Sequence, residues 1–95
     1  MRVYNPTYLK DTYIYDVFYN NYELVIILPM EIDPPIIKIN SINKNEEIFN
    51  CIKCPHKHIY VYTLVKDIYN EYIDLIINNI LYKNIKVNKY PEFKN

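Results

Sequence analysis

The residues best suited to chemistry lie close together in the stretch between Glu47 and Asp67, which contains no acidic side chain. The cationic or titratable side chains in this stretch are Lys53, His56, Lys57, His58 and Lys66. Tyr60 and Tyr62 are interleaved with them. Lysines contact phosphates and aromatic rings stack on bases, so the pattern is typical of an RNA-contacting element. The simpler interpretation is a solvated hairpin with outward lysines, and the local pattern alone favours it.

The same stretch also contains four side chains that bind zinc in other proteins, at the spacing Cys-x-x-Cys-x-His-x-His. They are Cys51, Cys54, His56 and His58. Residues 52–53 have strand character, however, which would place the two cysteines on opposite faces. Zinc sites also commonly separate their ligand pairs by a longer spacer. The sequence therefore predicts no cofactor and two free thiols in a reducing compartment, with zinc as the alternative.

Extended segments are predicted on both sides of this cluster. Residues 47–54 and 59–65 are rich in β-branched and aromatic side chains, and Pro55 begins a break between them. This pattern predicts a hairpin arm over residues 46–66. Isoleucine and leucine then recur at the spacing of one helical face, at Ile73, Ile76, Ile77, Ile80 and Leu81. That spacing predicts a helix over residues 70–83, followed by a strand at residues 85–87.

Residues 46–87, a little under half the chain, resemble the small-subunit ribosomal protein S-ten family. The residues that carry the resemblance are Glu47 and Phe49 near a strand start, Pro55-His56, Val65-Lys66-Asp67-Ile68, Ile73-Asp74-Leu75 at a helix start, and Ile85-Lys86-Val87. The resemblance implies an α+β fold with a ferredoxin-like sheet, a projecting β-hairpin arm and helices packed on one face. It also implies a first strand at residues 2–4 and a helix within residues 7–22, although Tyr13, Tyr15, Val17 and Tyr19 alternate like a strand.

The resemblance further implies a structural, non-enzymatic component of the small subunit of an organellar (mitochondrial) ribosome. Its partners would be the small-subunit rRNA and neighbouring small-subunit ribosomal proteins, with Lys53, His56, Lys57, His58 and Lys66 on the RNA. The alternative is a small viral or orphan protein-interaction module without RNA binding. The absence of a glycine-rich phosphate loop, of a nucleophile elbow and of a further histidine to orient a base agrees with a protein that is not an enzyme.

The amino-acid composition indicates which kind of genome encodes the chain and which residues fill the backbone positions that glycine usually occupies. The chain has no Gly but has 12 Tyr, 17 Ile and 13 Asn, which indicates an AT-rich organellar or viral genome. With no transit peptide in view, a mitochondrial protein of this kind would be encoded in the organelle. Positions that need a positive φ must also be filled by another residue, and Asn is the next best occupant. Asn84, just past the predicted helix, is such a position.

Length and charge bound the remaining possibilities. The 95 residues fit one domain spanning 1–95, with a polar tail at residues 88–95 that Phe93 would anchor if it docked on a neighbour. The formal net charge is zero, but residues 1–35 are acidic and residues 36–95 are basic. The longest apolar run ends at Pro29, too short for a membrane span, so no membrane partner is predicted.

Overall fold

The computed structural model describes residues 7–9, 12–31, 33–40 and 46–90, and these form an almost entirely β-structure. The strands are β1 (Thr7–Tyr8), β2 (Tyr13–Ile14), β3 (Asp16–Asn20), β4 (Glu23–Pro29), β5 (Ile37–Asn40), β6 (Glu47–Ile48), β7 (Asn50–Cys54), β8 (Ile59–Val65), β9 (Tyr72–Ile77) and β10 (Ile80–Lys86). Within the described residues the helical content is a single 3-10 turn at Pro55–Lys57.

Two four-stranded antiparallel sheets enclose the core. The first sheet has the order β3-β4-β8-β7 and the second has the order β10-β9-β5-β6, while β1 and β2 form a separate ribbon. Each strand sends alternate side chains inward, as Leu24, Ile26 and Leu28 do in β4. These side chains meet Leu75 and Ile77 of the second sheet in one hydrophobic cluster. The fold is therefore a β-sandwich.

Both sides of the sandwich are crossed by a strand that passes from one sheet to the other. β6 pairs with β5 in the second sheet, and after Phe49 the chain continues as β7 beside β8 in the first. On the other side β10 runs on to Asn88, which pairs with Phe18 of β3 in parallel. The strands from β3 to β10 thus form a ring in which neighbours within each sheet are antiparallel. Because that ring has seven members, with β6–β7 counted as one, one junction must be parallel, and it is the Phe18–Asn88 bridge.

A buried carboxylate fixes the parallel junction. Asp16 is fully buried, and its two oxygens accept hydrogen bonds from Asn88 Nδ2 at 3.0 Å and from the Tyr90 hydroxyl at 2.6 Å. Backbone bonds add to this, because Asn88 N donates to Val17 O and Tyr19 N donates to Asn88 O. A buried carboxylate is tolerated only when such donors satisfy it, so Asp16 ties the chain after β10 to β3.

Asparagine occupies most of the backbone positions that have a positive φ. The β9–β10 turn has φ of 48° at Asn78 and 68° at Asn79, as a two-residue hairpin turn of the primed type requires. Asn84, with φ of 59°, lies where the β9–β10 register shifts, and its N–H donates to Asp74 Oδ1 at 3.0 Å. The expectation for Asn84 is confirmed, but the position is a β-bulge and not a helix end.

The predicted α+β fold with a ferredoxin-like sheet and helices packed on one face is wrong. The segment predicted as a helix over residues 70–83 is the β9–β10 hairpin. The isoleucine pattern fits both structures, but in the strand the inward positions are Ile73, Leu75 and Ile77, while Ile80 and Leu81 are exposed. The helix implied within residues 7–22 is also wrong, because residues 13–14 and 16–20 are strands, in agreement with the alternation of Tyr13, Tyr15, Val17 and Tyr19.

The hairpin predicted over residues 46–66 is present, but it does not project as an arm. β7 pairs with β8, and β8 pairs with β4 along its whole length from Ile59 to Val65. The hairpin is therefore part of the first sheet. The predicted strand at residues 2–4 and Phe93, whose docking would anchor the tail, lie outside the described residues. No helix in the described part of the chain is long and apolar enough to cross a membrane.

Leu75 and Ile76 distinguish the strand from the predicted helix. The helical pattern places Ile76 in the core, whereas in β9 Leu75 is 0 % exposed and Ile76 points to the outer face. We expect Leu75→Ala to lower the free energy of unfolding by roughly 2–5 kcal/mol, and Ile76→Ala by about 1 kcal/mol. Urea denaturation of both variants measures this. A larger loss for Ile76→Ala would contradict the assigned register.

Candidate nucleic-acid interface

The tip of the β7–β8 hairpin is a short, internally bonded turn. Pro55 begins the 3-10 turn, for which its fixed φ is suited, and His58 ends it in the left-handed region with φ of 54°. His58 N donates to Pro55 O at 3.1 Å, and Met30 N donates to His58 O at 2.9 Å. The tip is thus held both within itself and to the end of β4.

Four of the five predicted RNA-binding residues meet at this tip. Lys53, His56, Lys57 and His58 are all exposed there. Within the described residues neither Lys53 nor Lys57 makes an ion pair, whereas Lys38, Lys66 and Lys86 are each paired with a glutamate. We call Lys53, His56, Lys57 and His58 the basic tip. Its lysines keep their charge available for an anion.

Lys66 does not belong to the basic tip. It follows β8 at the end opposite to His58, about 25 Å away along the strand. Its ammonium is bonded to Glu47 Oε1 at 2.6 Å and is partly buried. Lys66 therefore helps to hold β6 against the end of β8, and its charge is neutralised within the fold.

The tyrosines predicted to stack on bases are in the core. Tyr60 and Tyr62 are both buried, because they lie on the inward face of β8. The Tyr62 hydroxyl donates to Pro35 O at 2.6 Å. Burial, with a smaller contribution from the neighbouring Cys51, raises the pKa of Tyr62 well above its ordinary value. The basic tip consequently offers cations and imidazole rings to a ligand, without these tyrosines.

The geometry does not assemble the alternative zinc site. Cys51 is opposite Tyr62 on the inward face of β7, and Cys54 is opposite Ile59 on the outward face. The strand therefore separates the two thiols, as its period of two requires. Both cysteines are free, and across the described residues no three His, Cys, Asp or Glu side chains are grouped to hold a metal ion.

A second set of lysines, which the sequence did not single out, lies near the other end of the molecule. Lys86 Nζ is 5.1 Å from the centre of the Tyr72 ring, and Lys89 Nζ is 5.1 Å from that of Tyr69. Lys86 also pairs with Glu71, whose hydrogen bond raises the pKa of the ammonium. These lysines already have aromatic or anionic partners, so this surface is less suited to phosphate than the basic tip.

Comparison with protein-family models, with curated proteins and with solved structures found no match for this chain. The resemblance to the ribosomal family and its functional implications therefore stay predictions.

The separated cysteines predict an outcome for metal removal. A chelator should leave the melting temperature unchanged, because the two thiols lie on opposite faces of β7 and cannot hold one metal ion together. Cys54→Ser should change the free energy of unfolding by less than about 0.5 kcal/mol, while Cys51→Ser, which places a hydroxyl beside the core, should cost about 1 kcal/mol. Thermal melts and the metal content of the purified protein test this. Stoichiometric zinc, lost together with the hairpin in either variant, would restore the metal alternative.

Proposed function

We propose that this chain is a non-enzymatic binding domain that contacts RNA phosphates through the basic tip. The observation that carries the proposal is the contrast among the lysines. Lys53 and Lys57 are exposed at one turn with two histidines and have no ion pair in the described part of the chain, whereas three other lysines are neutralised by glutamates. Phosphate groups are the anions that such a cluster of lysines neutralises in nucleic-acid complexes.

Rigidity of the tip supports the same role. The carbonyl of His58 accepts the Met30 N–H and its N–H donates to Pro55 O, so the ends of the turn are fixed before any ligand binds. A fixed turn loses little conformational entropy on binding. Phosphate contacts of this kind position a protein on RNA and carry no sequence information.

The net charge of the chain fits a subunit of a larger particle better than a protein that binds RNA on its own. The formal net charge of the chain is zero, so no long-range field draws RNA to it. Two lysines neutralise about two phosphates, which is too few for tight binding in isolation. In a preassembled particle the other contacts hold the chain in place, and the basic tip needs only to complete them.

We propose the small subunit of a mitochondrial ribosome as that particle. The partners would be the small-subunit rRNA and neighbouring small-subunit ribosomal proteins. This part of the proposal rests on the sequence resemblance of residues 46–87 and on the AT-rich composition. The β-sandwich gives it no further support, because the resemblance implied a different fold.

A protein-interaction module without RNA binding is the second candidate. The observation in its favour is a set of large apolar side chains on the molecular surface, of which Ile48 is 62 % exposed and Leu81 is 44 % exposed. Exposed apolar side chains that are contiguous commonly mark a protein-binding surface.

The salt dependence of RNA binding tests the basic tip. We expect the double variant Lys53→Gln/Lys57→Gln to bind a single-stranded RNA oligonucleotide more weakly, and its log-log slope against salt to be shallower by about 1.4. Fluorescence anisotropy between about 50 and 200 mM salt covers the range in which such slopes are measured. Because both side chains are exposed, the variant should keep the wild-type melting temperature.

The matched control is Lys38→Gln together with Lys86→Gln, which removes two lysines that are each paired with a glutamate. Lys86 is already paired with Glu71, so we expect a much smaller change in slope. Equal slopes for the two double variants would assign the binding to net charge and would contradict a site at the tip.

The ribosomal part of the proposal is tested separately. Tagged full-length protein, sedimented from mitochondria of its host, should travel with the small ribosomal subunit and move to light fractions after ribonuclease treatment. Sedimentation that is light before the treatment, or unaffected by it, would contradict the ribosomal role.

A further inference from the structure

Both histidines of the chain lie on the turn of the basic tip. His56 and His58 are the chain's two histidines, and Lys57 is the single residue between them. His56 belongs to the 3-10 turn, His58 ends it, and both residues are exposed. Histidine is the side chain that ordinarily changes its charge between about pH 5 and pH 8. The side-chain charge that the protein gains as the pH falls through this range is therefore gathered at the basic tip.

Protonation of the two imidazoles would change the charge of the whole chain at one place. The formal net charge is zero with both histidines neutral, and two added protons make it +2. Four cations then stand at one hairpin tip, because Lys53 and Lys57 are already there. The added charge therefore extends the surface that neutralises phosphates and does not create a separate one.

The backbone of the turn fixes the positions from which the two imidazoles extend. His58 N donates to Pro55 O at 3.1 Å, and His58 O accepts the Met30 N–H at 2.9 Å. Pro55 has a fixed φ at the start of the turn. The Cα atoms of His56 and His58 therefore keep their separation on one turn, so both imidazoles can reach phosphates of the same RNA strand.

Other titratable groups lie on the segments that adjoin the tip. Met30, which is bonded to the tip, is followed by Glu31 and Asp33, and both carboxylates are on exposed residues. Among the described residues, neither carboxylate forms an ion pair with a histidine or a lysine of the tip. The hairpin itself adds the Cys54 thiol and the Tyr60 hydroxyl. Carboxyl groups ordinarily titrate below pH 5 and thiols and phenols above pH 8, so imidazole is the kind of group here that changes charge between them.

We propose that the two histidines make RNA binding at the basic tip depend on protons, so that the tip binds RNA more tightly as the pH falls from about 8 to about 5.5. The inference rests on the proposed contact between the tip and RNA phosphates. A phosphate within reach of an imidazole favours the charged form of the ring, so binding of RNA takes up protons. By linkage, the affinity for RNA rises as the pH falls through the range in which the imidazoles titrate, and it is lost again as the pH rises.

The salt dependence of binding to oligouridine at two pH values tests the proposal, because uracil gains no proton in this range. Each protonated imidazole that neutralises a phosphate steepens the log-log slope by about 0.7. The slope of the full-length wild-type protein should therefore be steeper by up to about 1.4 at about pH 5.5 than at about pH 8.

The variant His56→Gln/His58→Asn should lose this difference between the two slopes. Asn is chosen at position 58 because it tolerates the positive φ of that residue. The single variant His56→Gln leaves the end of the turn unchanged and should lose about half of the difference. Circular dichroism reports the fold of both variants.

The matched control is Lys38→Gln/Lys86→Gln, which removes two paired lysines of the second sheet and should keep the full difference in slope. Nuclear magnetic resonance of the wild-type protein gives a second measurement, since its two imidazoles can be followed individually. Addition of oligouridine should move the titration midpoints of both imidazoles to higher pH. Midpoints that do not move would overturn the inference.

The outcomes separate this inference from the proposed function. Binding that depends on Lys53 and Lys57 but has the same slope at both pH values would overturn the inference and leave the proposed function in place. A difference in slope that persists in His56→Gln/His58→Asn would overturn the inference as well. A wild-type protein that binds no RNA at either pH would overturn both.

Discussion

Closure of the two sheets by strands that cross between them is the constraint on which the rest of this structure depends. The extended run from Glu47 to Cys54 belongs to both sheets, since its first part pairs with β5 and its second part with β8. On the other side Asn88 brings the chain after β10 to β3, where Asp16 accepts bonds from Asn88 and Tyr90. A small domain has little excess stability, so tying both sides of the sandwich keeps its core enclosed.

This closure also decides which surfaces can bind. β8 lies between β4 and β7, so the hairpin does not project from the sheet, and Lys53 and Lys57 lie exposed at its tip end. The outer face of the second sheet carries the exposed isoleucine and leucine side chains, and the polar groups around them are bonded internally. The basic tip and the exposed apolar side chains of the second sheet thus occupy separate parts of the fold.

Local patterns predicted the parts of the fold that depend on neighbouring residues. The hairpin around Pro55 was predicted because β-branched and aromatic side chains flank it on both sides. The strand alternation of residues 13–19 was visible in the sequence, but the resemblance favoured a helix there, and that helix was wrong. The β9–β10 hairpin was missed because Asn78-Asn79 stands where Asn-Gly would normally mark such a turn, and because Ile76, Ile77 and Ile80 also fit a helical period. Leu75 distinguishes the strand pattern from the helical pattern, because it is buried in β9 but lies outside the apolar face of the predicted helix.

The features that the sequence did not predict depend on contacts between residues that are far apart in the chain. Asp16 and its partners Asn88 and Tyr90 are more than 70 residues apart, and Lys66 is neutralised by Glu47 from a different strand. No local pattern indicates such contacts. The grouping of Lys53, His56, Lys57 and His58 was predictable because they lie within six residues at one hairpin tip. The common face of Ile48, Ile76 and Leu81 depends on the register of four strands.

The central claim is that residues 72–86 form a hairpin in a closed β-sandwich, and nuclear Overhauser spectroscopy tests it most directly. Ile76 and Leu81 are directly opposite without a mutual hydrogen-bonded pair, so their Hα atoms should be close enough to give a strong cross-peak. A second cross-peak should join Asn88 to β3 at Phe18. Both peaks are predicted in the full-length protein. A helical pattern of cross-peaks between residues three apart, running through residues 70–83, would contradict the account.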